Sequence, residues 1–74
     1  RRTMAGELRM TREEMVNGFA AGRHLTQEEW AHPQEIAWVD ELVAEGKARV
    51  VAPWEYRDGF QCERRIVQGA LSHG

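Results

Sequence analysis

The stretch from Pro33 to Gly46 limits what this chain can fold into more than any other. Proline lacks a backbone N–H and has φ already set near the helical value, so Pro33 begins a helix well and interrupts one badly. At 100° per residue, Ile36, Trp38, Val39, Leu42 and Val43 fill one wide arc, with Gln34, Ala37, Asp40, Glu41 and Glu45 mostly opposite. Gly46 then provides a stop. The spacing predicts a helix over about 33–45. Two apolar-rich runs follow, 47–56 and 60–67, separated by Arg57-Asp58-Gly59. Asp-Gly between such runs predicts a β-hairpin.

Matching faces selects the hairpin loop. A two-residue Asp58-Gly59 turn sets Ala52, Trp54 and Tyr56 beside Arg65, Glu63 and Gln61, mixing apolar with charged side chains. A three-residue loop pairs Tyr56 with Phe60, so that Val50, Ala52, Trp54 and Tyr56 share a face with Phe60, Cys62 and Ile66. It also puts Gly59 where a type I turn with a bulge needs positive φ. The three-residue loop is therefore expected, with Arg64 the one misfit on the inner face. Pro53 then points outward, as suits an edge strand.

Upstream, residues 1–10 show no period and form either a loose tail or a short strand near 7–10. Thr11-Arg12-Glu13-Glu14 is a capping box, and Met15, Val16, Phe19 and Ala20 behind it share a helical face. With Gly22 as a stop, a first helix is expected at about 12–21. Thr26-Gln27-Glu28-Glu29 is a second capping box, predicting a short helix anchored by Trp30 and ended before Pro33. Trp30 and Trp38 are expected in the core. Trp54, Tyr56 and Phe60 gather near the hairpin tip, either covered by the first helix or left partly exposed as interface anchors. Residues 68–74 read as a C-terminal tail.

Seventy-four residues suffice for one domain. The single cysteine, Cys62, permits no internal disulfide, which favours a reducing, cytoplasmic setting. No apolar run approaches the ~18 residues of a membrane span. Beginning at Arg1 rather than Met, the chain is expected to be a fragment, a processed product or an internal domain. Its small, compact sequence suits a phage or mobile-element protein.

Chemistry-bearing residues are sparse. His24, His32, His73 and Cys62 follow no metal-ligand spacing, so no metal and no cofactor is expected. Glu28-Glu29 and Asp40-Glu41 are adjacent pairs that helical geometry would turn about 100° apart, away from any shared site. The seven glycines are scattered and form no phosphate loop. No catalytic residue is nominated, and no small-molecule substrate is evident. The charges, by contrast, are patterned. Residues 1–25 carry five Arg against three Glu, net +2; residues 26–45 carry six carboxylates and no Lys or Arg, net −6; residues 46–74 carry five cations against three carboxylates, net +2.

The order helix, short helix, longer helix, hairpin over residues 11–67 resembles the winged helix-turn-helix superfamily. Leu25-Thr26-Gln27-Glu28-Glu29-Trp30 looks like the start of its second helix, and Ile36, Val39, Leu42-Val43 and Gly46 like its third helix and the exit into the wing. The resemblance implies an α+β, winged-helix-like fold, three helices followed by a two-stranded β-hairpin. It also implies a groove-facing surface at 33–41 and a wing tip at Arg57. The third helix departs from that role, because its exposed side carries Asp40 and Glu41, flanked by Glu35 and Glu45. Within a Debye length of roughly 8 Å, each carboxylate costs about a kcal/mol against phosphate.

A protein partner is therefore favoured over DNA. The expected function is that of a regulatory or adaptor module, linked to transcription by the resemblance. It would bind through Gln34, Asp40 and Glu41 on the acidic helix and Trp54, Tyr56 and Arg57 on the hairpin. The alternative is a DNA-binding regulator using the basic wing, with Lys47, Arg49, Arg57, Arg64 and Arg65 on phosphates. A structural domain of a longer protein is the third reading.

Overall fold

The capping box at Thr11 forms in full. The Thr11 hydroxyl accepts the Glu14 N–H at 3.1 Å, and the Glu14 carboxylate accepts the Thr11 N–H at 2.9 Å. In the computed structural model, which describes residues 7–56, 59 and 62–70, this box starts helix α1, Arg12–Ala20. Ala21 caps it, and Gly22 takes a φ of 79°. Strand β1, His24–Glu28, follows, then helix α2, Pro33–Ala44. Strands β2, Ala48–Glu55, and β3, Arg64–Gly69, complete an antiparallel sheet of order β1-β3-β2.

The architecture is α+β with two helices and three strands, not three helices and a two-stranded hairpin. The expected short helix at Thr26 is the element that differs. Residues 24–28 pair instead with β3, from His24 opposite Gln68 to Glu28 opposite Arg64. A helix confined between Thr26 and Pro33 would be too short to hold itself, and the ladder satisfies the same backbone groups cooperatively. Leu25 and Gln27 alternate inward, but the second of them is polar, so the period of two is masked in the sequence.

The longer helix forms where its pattern placed it, with Glu45 as its C-cap and Gly46 at φ 82°. Its N-cap is His32, whose Nδ1 accepts the Gln34 N–H at 2.9 Å. Val39 and Leu42 on α2 meet Met15 and Phe19 on α1, Ala48 on β2 and Val67 on β3 in the apolar core, with Trp38 packed against it. The larger of these side chains contribute about 1.5–3 kcal/mol each by leaving water. Trp30, expected inside, is instead 48% exposed. With no helix starting at Thr26 to carry it, it sits in the turn between β1 and α2.

The inner-face register also differs from expectation. Val50 lies opposite Val67, and irregularities on either side of Ala52 bring Ala52 opposite Ile66 and Glu55 opposite Arg64. Bulges of this kind add residues to one strand and exchange faces on the other. Arg65, Val67 and Gly69 therefore form the buried side of β3, while Arg64 and Ile66 fall on the other side. Arg64 is thus no misfit on the inner face. Pro53 lies exposed in β2, an edge strand, as expected. Of the loop residues, Arg57, Asp58 and the Tyr56–Phe60 pairing lie outside the described residues; Gly59 has φ 82°. Strand β3 runs to Gly69, two residues beyond the expected hairpin end.

At Gly69 the backbone of α1 lies against the sheet. A Cβ there would sit 1.9 Å from the Phe19 carbonyl oxygen, backbone that has no rotamer to change. Gly69→Ala should therefore cost at least about 1–3 kcal/mol, because α1 must lift from β3. At Gly59 a Cβ would meet nothing within 4 Å. Gly59→Val should thus cost only the strain of positive φ, about 1–2 kcal/mol. Urea midpoints measure both, and an unaltered Gly59→Val variant would rule out the positive-φ turn.

Candidate interaction surface

Beyond the last core residues, the space between α2 and the sheet is filled by charge. Glu35 in the first turn of α2 and Gln27 on β1 have no exposed surface, and Arg65 on β3 has 5%. They form one chain of contacts. Gln27 Nε2 donates to Glu35 Oε2 at 2.8 Å. Arg65 Nε and Nη2 donate to Gln27 Oε1 at 2.9 and 2.6 Å. Arg9, from the segment before α1, donates from Nε and Nη2 to the two Glu35 oxygens at 3.1 and 2.8 Å, and also to the Thr26 carbonyl at 3.2 Å. At the far end Arg65 Nη1 lies 3.0 Å from Asp40 Oδ1, and its guanidinium stacks 4.7 Å from the Trp54 ring centroid.

Burial alone would push the Glu35 carboxyl up. The hydrogen bonds from Arg9 and Gln27, with the charge of Arg9, outweigh it and hold the group below the usual carboxylate range. The same hydrogen bond to Glu35 raises Arg9 further.

The rest of the acidic third is matched in the same way. Asp40 has Arg65, Glu41 has Arg12 at 3.8 Å, Glu45 has Lys47 at 3.4 Å and Glu28 has Arg64 at 2.6 Å. The pairs to Arg12 and Lys47 are exposed and worth little. Glu29 is the exception. Its Oε1 accepts the Glu63 N–H at 3.1 Å, and it has no cation among the described residues.

The expected partner residues fall in separate places. Gln34 and Glu41 are exposed on α2, Asp40 is held by Arg65, Trp54 is half-buried beneath that guanidinium, and Tyr56 is 62% exposed. Of the nominated phosphate contacts, Arg49 is exposed and makes no ion pair with a described residue. Lys47 and Arg64 have carboxylate partners, and Arg65 is interior. Arg57 lies outside the described residues. Cys62 is half-buried.

A surface feature not nominated from the sequence lies between the turn before α2 and the first turns of that helix. Trp30, Ala31, Pro33, Ile36 and Ala37, with Glu29 and Asp40, line an open hollow of about 480 Å³. Among the described residues no group of three or more His, Cys, Asp or Glu is placed to hold a metal, and no helix is long and apolar enough to cross a membrane.

Because Glu35 is lowered in the fold, its charge stabilises the fold above its ordinary value of 4.5, and that contribution is lost as pH falls through the lowered value. Glu35→Gln should cost about 1–3 kcal/mol at neutral pH, since an amide has one accepting oxygen where the carboxylate uses two, Oε1 for Arg9 and Oε2 for Arg9 and Gln27. The cost should shrink on acidification until variant and wild type converge. Denaturant midpoints across pH 7 to 2 check this, in roughly the range where carboxylates titrate; parallel curves would refute it. No family model, curated protein or solved structure matches the chain, so the role of this surface rests on its own chemistry.

Proposed function

We propose that this domain is a non-enzymatic protein-binding module with a winged-helix-like fold. In it a strand replaces the expected short helix, and the longer helix still runs into the hairpin. Contact is made by the turn before α2, the adjoining side of α2 and the β2–β3 hairpin. The observation that carries this reading is the apolar surface left outside a small core. Trp30 is 48%, Val51 43%, Val50 39% and Tyr56 62% exposed. Trp30 is not isolated, because Pro33, Ile36 and Ala37 extend the same hollow. A partly exposed tryptophan in an apolar concavity, with a tyrosine on the neighbouring hairpin, is the composition of a protein interface.

Within this reading the acidic helix has a smaller part than its sequence implies. Glu35, Asp40, Glu41 and Glu45 already have cations from the same chain, so α2 is a weak electrostatic lure. The same pairing weakens the alternative of a DNA-binding regulator. Among the described wing cations only Arg49 is exposed and without a carboxylate partner, whereas duplex affinity rises with the number of phosphates neutralised.

The wild-type domain should capture a protein from its source cells, and Trp30→Ala and Tyr56→Ala should lose it while Arg49→Ala keeps it. In parallel, titration with random duplex DNA at low salt should give weak binding at most. Tight DNA binding with a steep negative salt slope overturns the proposal.

A further inference from the structure

We infer that the hollow beside Trp30 receives a Lys or Arg side chain from a short basic–apolar segment of the partner protein, an inference that rests on the protein-binding reading above. Most of the lining is apolar, with buried Ala31, Pro33 and half-buried Ile36. Trp30, 48% exposed, and the acidic residues Glu29 and Asp40 complete the lining.

Charge complementarity selects the occupant. Of the six carboxylates in residues 26–45, Glu29 is the one without a cation among the described residues, yet its position is fixed by the Glu63 N–H. Asp40 has its side chain 60% exposed and is engaged by Arg65 at Oδ1. An anionic segment would be repelled here. A purely apolar one would strip water from Glu29 with nothing to replace it. A cation with an alkyl stem meets every part of the hollow: the stem covers the apolar lining, the head lies on the indole, and the carboxylates receive its N–H groups.

The protein builds this arrangement once already within its own chain. On the sheet side of Asp40, Arg65 lies over the Trp54 ring with its guanidinium on the same carboxylate. The hollow offers a second such ring in Trp30, with Glu29, which has no cation among the described residues, and the Arg65-paired Asp40 beside it. An apolar neighbour in the incoming segment extends the contact over Ala37.

The probe is the peptide acetyl-Arg-Leu-Arg-amide, with acetyl-Glu-Leu-Glu-amide as its charge-reversed control. Binding is read from the Trp30 indole N–H resonance, identified by its loss in Trp30→Phe. The Arg peptide should move this resonance saturably and bind more weakly as salt rises. The Glu peptide should leave it in place. Glu29→Gln should weaken binding about 2- to 5-fold, and Trp30→Ala about 10-fold or more. Should Trp30→Ala disturb the fold, the charge-reversal comparison on the wild type decides alone. An equal shift from both peptides, or none from the Arg peptide at millimolar concentration, overturns the inference. If the Arg peptide fails while Trp30→Ala still loses the captured protein, the basic occupant is wrong and the module reading stands. If the Arg peptide binds but capture is indifferent to Trp30→Ala, the cation site stands and the module reading falls at this surface.

Discussion

Glu35 is a carboxylate without exposed surface, and the segments around it are arranged to keep it charged. Arg9 reaches it from the chain preceding α1, Gln27 from β1, and Arg65 from β3 through Gln27. A buried charge network of this kind is a poor source of net stability, because desolvation offsets most of what pairing returns. Its value here lies in specification. The ladder places Gln27 directly opposite Arg65, and both must face the helices to complete the chain to Glu35. A one-residue slip of β1 would send Gln27 to the open side and leave Glu35 and Arg65 without their shared partner. Among the described residues the buried apolar cluster has six side chains, one of them an alanine, so that penalty separates the native register from its neighbours more sharply than hydrophobic contacts can.

The network also accounts for the charge pattern along the chain. An acidic middle between basic ends looks like a surface prepared for an external cation. In the fold, the ends supply the cations: Arg9 and Arg12 from the first part, Lys47, Arg64 and Arg65 from the last. Block charge therefore describes how this chain closes on itself more than what it meets, and the informative carboxylate is the one left over, Glu29.

What is legible in the sequence follows from locality. The Thr11 capping box, the arc of Ile36, Val39, Leu42 and Val43, and the stop at Gly46 depend on residues within a few positions of one another, and each forms. Strand β1 does not announce itself, because its inward positions are Leu25 and a glutamine whose burial depends on Arg65, 38 positions away. The register of β2 against β3 turns on bulges around Ala52, which two strands decide together. Arg65 reads as a solvated strand cation for the same reason. Its partners Gln27 and Asp40 come from other elements. Trp30 belongs in the core only if a helix starts at Thr26. The strand that forms there instead leaves the indole at the surface, and no local pattern marks the hollow it lines.

Asp40 joins the interior to the surface. Its position is set by Arg65, and Arg65 is set in turn by two hydrogen bonds to Gln27 and by the face of Trp54. The other end of the same chain, Glu35, fixes the first turn of α2, where Pro33 and Ile36 line the hollow. A docking surface built on a helix turn locked from beneath loses little freedom when a partner arrives, and ordering cost is what most often separates weak interfaces from tight ones. The residues that make the register unique therefore also hold the lining of the hollow in place. Loosening the network would blur that surface even where no residue of the hollow had been changed.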